Sequence, residues 1–189
     1  YDPLKVIVDR AHEKGVQVLG SIRINDPGSP DIGSNYNVGR LKYENPEVMI
    51  GEENPDRPYV STCLDFARQD VREERLAVLE EVCDRYGADG VEIDEYVRVF
   101  FKPSEVQQNT PILTEWMRSV RDMLDRVGKK RGERLMLAAR VHPNEEANLA
   151  VGMDVRSWLS EKLVDVLTPF VPSPLLDTNP MLGDYVDVA

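Results

Sequence analysis

Asp89-Gly90-Val91-Glu92-Ile93-Asp94-Glu95-Tyr96-Val97-Arg98 carries the pattern from which the architecture follows. Val91 and Ile93 alternate with Glu92 and Asp94, so an extended segment here has one apolar face and one carboxylate face. A helical pattern closes just before it at Gly87, and another opens some residues after it. A strand entered from one helix and left toward the next is the unit of a parallel α/β sheet.

The same unit recurs on both sides of this segment. Strands are predicted at Val16–Ile24, Asp89–Val97, Leu135–Val141 and Leu163–Thr168. The first helix runs from Asp2 to Gly15, with Asp2 as cap, Pro3 at the first position and Leu4, Ile7, Val8 and Ala11 as the apolar stripe. The second spans Arg68–Tyr86, with Val71, Leu76, Leu79, Val82 and Cys83 on one face. The third spans Pro111–Val127 under a Thr110 cap and turns Ile112, Trp116, Val120, Met123 and Leu124 inward. Asp154 caps a short helix through Ser160. Extra length follows strands, most of all in residues 25–66 and again at Arg98–Thr110. Long strand-to-helix loops are how a (β/α)-barrel builds its active site. The expected fold is therefore α/β, of (β/α)8 TIM-barrel type, as a partial barrel of about four βα units. A small open doubly wound sheet is the alternative. Residues 1–189 read as a single domain and as a fragment of a larger barrel. The chain opens at Tyr1 without a charged-then-apolar leader, so a longer parent with room upstream for a signal peptide is expected.

Composition narrows the function. The 189 residues carry 23 Lys+Arg against 34 Asp+Glu, a formal net charge of −11, which speaks against a nucleic-acid partner. Apolar residues make up 41%, enough for a core, and no apolar run reaches the roughly 18 residues of a membrane span. Cys63 and Cys83 make neither a disulfide framework nor a CxxC pair, and Cys83 reads as a buried small hydrophobe. His12 and His142, far apart and without paired cysteines, speak against zinc. There is no GxGxxG, P-loop, GxSxG or HExxH. No cofactor and no metal are expected.

Strand alternation places the chemistry. With Ile22, Ile24, Val91, Ile93, Leu137, Ala139 and Val141 against helices, the other face receives Ser21, Arg23 and Asn25, then Glu92 and Asp94, then Ala138, Arg140 and His142. Buried charges are costly unless paired or used. One reading is a salt-bridge network of Arg23, Glu92, Asp94 and Arg140 that holds strand register. The sharper reading is an active site at the strand C-termini, where polar convergence in barrels is catalytic. Crowding of Glu92, Asp94 and Glu95 supplies carboxyls of different acidity. Asp94 beside arginines is the ionised nucleophile or stabiliser, and Glu95 is the best local candidate for the acid/base, a strand outside this chain being the alternative source. Arg23, Asn25, Asp26, Glu92, Tyr96, Arg98, Arg140 and His142 are the substrate-binding candidates. Asn25-Asp26 before Pro27-Gly28 also reads as a turn. Trp116 and Trp158 read as core, His12 as a surface residue, and Tyr36, Tyr43, Tyr59 and Tyr96 as rim aromatics able to stack on sugars.

The run Ser21-Ile22-Arg23-Ile24-Asn25-Asp26, then Leu64-Asp65-Phe66-Ala67 with Asp70-Val71-Arg72, then Arg85-Tyr86-Gly87-Ala88-Asp89-Gly90-Val91-Glu92-Ile93-Asp94 resembles bacterial family-10-like glycosyl hydrolases. Ala138-Ala139-Arg140-Val141, Gly152-Met153-Asp154-Val155 with Trp158, and Leu163–Pro169 extend the resemblance over most of the chain. It implies a (β/α)8 barrel acting on polysaccharide or cell-wall glycan, with Asp94 ending the fourth strand and a periplasmic or extracellular location. The segment also looks like the DGΦDΦDΦE strand of chitinase-like barrels. It departs there, with Tyr96 at the final acid and Glu95 at an apolar position, which weighs against the substrate-assisted chitinase mechanism.

The function expected is hydrolysis of O-glycosidic bonds by two carboxyl groups through an oxocarbenium-like transition state, without a cofactor. A non-catalytic carbohydrate-binding barrel is one alternative. A metal-dependent sugar isomerase or hydrolase holding its ion with Glu92, Asp94, Glu95 and His142 is the other.

Overall fold

A computed structural model describes residues 2–25, 40–52, 58–94, 99–170, 185 and 187–188, without the side chains of residues 40, 58 and 59. Helix α1 (Pro3–His12) leads to strand β1 (Leu19–Arg23). After a long connection containing α2 (Arg40–Glu44), α3 (Gln69–Asp84) leads to β2 (Gly90–Asp94). Helix α4 (Val106–Arg131) leads to β3 (Met136–Val141), and α5 (Glu145–Leu149) and α6 (Val155–Ser160) lead to β4 (Val166–Pro169). The four strands form one parallel sheet in sequence order, β1-β2-β3-β4. Consecutive parallel strands separated by helices are the arrangement of a partial (β/α)-barrel.

The core lies between the sheet and α3 and α4. Val71, Leu79 and Cys83 from α3, and Leu113, Trp116, Met117, Val120, Met123, Leu124 and Val127 from α4, bury against Val91, Ile93, Leu137, Ala139 and Val141. Trp116 donates its indole N–H to Arg72 O at 3.0 Å, and Trp158 donates to Thr114 Oγ1 at 3.3 Å, so each buried indole is satisfied. Burial pushes the Cys83 thiol up to about 11, so it packs as a hydrophobe. Two glycines permit close approach. A Cβ on Gly20 would lie 2.4 Å from Val82 Cγ1. One on Gly90, at φ 155°, would lie 2.1 Å from Met136 O and 2.7 Å from Met136 N.

Several expected boundaries move. Strand β1 begins at Leu19, and Val16 is exposed. Helix α4 begins at Val106, and Thr110 is no cap: its hydroxyl donates to Val106 O at 3.0 Å. Pro111 therefore stands inside the helix, one turn later than the first position it was expected to fill. Helix α5 was not anticipated, although Asn144 caps it by accepting from Ala147 N–H. On α1, Asp2 caps as expected, accepting from Lys5 N–H, but Ile7 is 57% exposed and only Val8 is fully buried. The helix precedes β1, which ends the described sheet.

The feet of the strands carry a repeated device. Asp89 N–H donates to Val18 O, and its carboxylate accepts Val18 N–H at 2.6 Å and meets His12 Nε2 at 2.9 Å. His12 is thus a half-exposed partner of Asp89 rather than a bare surface residue. Asp165 N–H donates to Leu137 O. Its carboxylate accepts Leu137 N–H at 2.8 Å and bonds Arg121 at 3.1 Å and Arg134 at 2.7 Å. Burial raises the Asp165 carboxyl, but the Leu137 N–H and the two arginines outweigh it and hold the group below its usual range. A carboxyl lowered in the fold stabilises above its unfolded value, about 3.9, and loses that contribution as pH falls through the lower folded value. Asp165→Ala is expected to cost about 1–3 kcal/mol at neutral pH. The deficit should shrink in acid, as read from urea midpoints at pH 7 and pH 3.

Candidate active site

The inner face of the sheet forms two layers of side chains. Register sets Ser21 beside Glu92, Glu92 beside Ala138, Arg23 beside Asp94 and Arg140 beside Thr168. Alternation therefore brings Arg23, Glu92, Asp94 and Arg140 to one face, while Ile93, Leu137 and Ala139 turn to the helices.

Glu92 is held on two sides. Arg140 donates Nε at 3.2 Å to one oxygen and Nη2 at 3.4 Å to the other, and the Ser21 hydroxyl donates at 2.6 Å. The Arg140 guanidinium lies 5.8 Å from the Phe170 ring centroid, within cation–π range. Asp94, next up the strand on the same face, is held far less. Its side chain is 14% exposed, and Oδ2 lies 3.8 Å from Arg23 Nε, an ion pair but too long for a hydrogen bond. Its Oδ1 is buried with no hydrogen-bond partner among the described residues. A buried carboxylate oxygen without a donor costs free energy, and such groups concentrate where they are used.

His142 follows the end of β3. Its N–H donates to Asn148 Oδ1 at 2.8 Å, and its carbonyl accepts from Asn148 Nδ2 at 3.2 Å. Asn148 is fully buried and also donates to the Tyr185 hydroxyl at 2.9 Å. Asn25 departs from expectation: it is 4% exposed, and its amide is taken by Leu64 N–H, Leu64 O and Val99 O. Its amide holds main chain. Asp26, Glu95, Tyr96 and Arg98 lie outside the described residues, as does Tyr36. Tyr43 is exposed.

Sequence reasoning missed Asn148, Phe170 and Asp65. Asp65 is 6% exposed in the turn before α3. Burial raises its carboxyl, against the Ala67 N–H and Lys102, which lower it. A groove of about 720 Å³ is lined by Pro103, Ser104, Gln107, Thr110, Glu146 and Leu149 among others, none of them a candidate residue. No described helix is long and apolar enough to cross a membrane, and no group of three or more metal-ligating side chains occurs among the described residues.

No protein-family model and no curated protein matches the chain. Solved structures do. A family 18 N-acetylglucosaminidase from Paenibacillus barengoltzii is 14% identical, with a TM-score of 0.53 over 88% of this chain and 39% of that one. A family 18 chitinase from Cycas revoluta, solved with allosamidin, is 14% identical, with a TM-score of 0.51 over 88% and 40%. An Anoxybacillus α-amylase is 14% identical, with a TM-score of 0.54 over 88% and 33%. The chain thus has the fold of TIM-barrel glycoside hydrolases and spans between a third and two fifths of these three proteins.

Proposed function

We propose that this chain is the central part of a glycoside hydrolase barrel that cleaves O-glycosidic bonds in a polysaccharide or cell-wall glycan, within the family-10-like group. The observation that carries the reading is Asp94: a mostly buried carboxylate at the C-terminal end of a barrel strand, beside Arg23, with one oxygen lacking a donor among the described residues. Asp94 acts as the nucleophile or the ionised stabiliser of an oxocarbenium-like transition state, and Glu95, the next residue, supplies the acid/base. Arg140 with Ser21 anchors Glu92 beneath Asp94, and Arg23, Asp26, Tyr96, Arg98 and His142 orient sugar hydroxyls.

The test is release of new reducing ends from a panel of polysaccharides and peptidoglycan by the full-length protein, with and without a chelator. Release that survives the chelator is the expected result, and release abolished by it moves the assignment to the metal-dependent alternative. A second reading, a barrel that binds glycan without cleaving it, draws on Glu92. Arg140 and Ser21 occupy that carboxylate, which leaves Asp94 without a second open carboxyl on the described inner face. Glycan retained without release would favour that reading.

A further inference from the structure

The described parts of the β1–α3 connection form a small layer of their own. Ile50 N–H donates to Cys63 O at 2.8 Å, Gly51 N–H to Ser61 O at 2.9 Å, and Asp65 N–H to Val48 O at 2.8 Å, while Met49 and Leu64 pair as an antiparallel bridge. Ile50, Val60 and Cys63 close a hydrophobic cluster with Val99 packed against it. Phe66 N–H donates to Phe100 O at 2.8 Å. The Phe66 ring meets Phe100 and Trp116 edge-on at 5.1 and 5.4 Å, which fastens this layer to the main core.

Asn25 joins that layer to the sheet. Its Nδ2 donates to Leu64 O at 2.9 Å and to Val99 O at 2.5 Å, and its Oδ1 accepts Leu64 N–H at 2.8 Å. Both amide protons and the amide oxygen are therefore used. One residue earlier, Ile24 N–H donates to Asp94 O at 3.4 Å. Two consecutive residues leaving β1 thus hold both ends of the Asp94–Val99 connection: its start through a backbone bond, its return through a side chain.

We propose that Asn25 is a positioning residue, one that holds Leu64 and Val99 against the end of β1 and so fixes the placement of the Asp94 carboxyl on the neighbouring strand. The proposal rests on the reading of Asp94 given above. An apolar side chain here would leave Leu64 N–H, Leu64 O and Val99 O without the partner the fold gives them, and buried main-chain groups demand one. Clamps of this kind hold a reacting group within the fraction of an ångström that catalysis requires.

The test compares Asn25→Ala with the wild type and with Asp165→Ala, which loosens the opposite end of the sheet. Amide exchange of residues 62–66 and 99–101 is expected to accelerate at least about tenfold in Asn25→Ala, and not in Asp165→Ala. In the same variant kcat should fall at least about tenfold with KM little changed, whereas Asp165→Ala keeps its kcat per folded molecule. Unchanged exchange overturns the clamp. Accelerated exchange with unchanged kcat overturns the positioning role and leaves a structural one. A wild type that turns over no glycan sinks the reading of Asp94, while exchange still judges the clamp. Asn25→Ser, which keeps one hydrogen bond, serves if the alanine variant does not fold.

Discussion

Asp94→Asn is expected to lower glycan hydrolysis by about a thousandfold or more, equivalent to about 4 kcal/mol of barrier at 1.36 kcal/mol per tenfold, with little change in stability. The amide keeps the size of the carboxyl and its place beside Arg23, but it neither attacks an anomeric carbon nor balances a developing positive charge. Oδ1 has no hydrogen-bond partner among the described residues, and the contact to Arg23 is long. The fold therefore loses almost nothing when the charge goes. Reducing-end release measured beside the thermal midpoint separates the two effects. Equal turnover by both proteins removes Asp94 from the mechanism. A matching loss in thermal midpoint would make the residue structural. Glu92→Gln should behave in the opposite proportion, because Glu92 is bonded to both Arg140 and Ser21.

Gly90→Ala should cost about 3 kcal/mol or more, a large share of the roughly 5–15 kcal/mol that holds a domain folded. The added methyl would sit 2.1 Å from Met136 O, and no rotamer relieves a collision with main chain. It falls where β2 and β3 begin to pair, Gly90 opposite Met136, so relief means separating two strands of the sheet. The positive φ adds strain of its own. Gly20→Ala is the calibrating variant. Its methyl would meet Val82 Cγ1 at 2.4 Å, a side chain that can turn away, and a loss of about 1–2 kcal/mol is expected. Urea unfolding of the pair decides the point: similar losses would mean that the close approach at Gly90 is not what the sheet depends on.

The alternation in residues 90–94 was legible because the two faces of β2 differ so sharply in chemistry that only one orientation buries the apolar side chains. From it follow the parallel sheet and the convergence of Arg23, Glu92, Asp94 and Arg140. The main-chain bonds of Asn25 were not legible because its partners lie 39 and 74 residues away, and no local pattern distinguishes an amide that binds a sugar from one that binds main chain. Asn148 was missed for the same reason, its Tyr185 partner lying 37 residues on. The start of α4 was misplaced because Pro111 is most at home in the first turn. In the fold, the buried Asn109 belongs to a turn that begins earlier. Ile7 fits a helical stripe, but a stripe predicts burial only where a neighbour exists to receive it.

Parallel strands have no hairpin to fix how they align, and a slip of one residue turns every side chain to the opposite face. Here it would drive Glu92 and Asp94 under the helices and push Val91 and Ile93 into the cleft. Asp89 and Asp165 guard against that outcome from the far end of the molecule. Each grips both the N–H and the C=O of one residue at the foot of the strand before it, Val18 in one case and Leu137 in the other. Each can do so in only one alignment. The two aspartates act as indexing pins for the pairs β1–β2 and β3–β4: they select the alignment while the sheet assembles and take no part in the chemistry at its other end once it has formed.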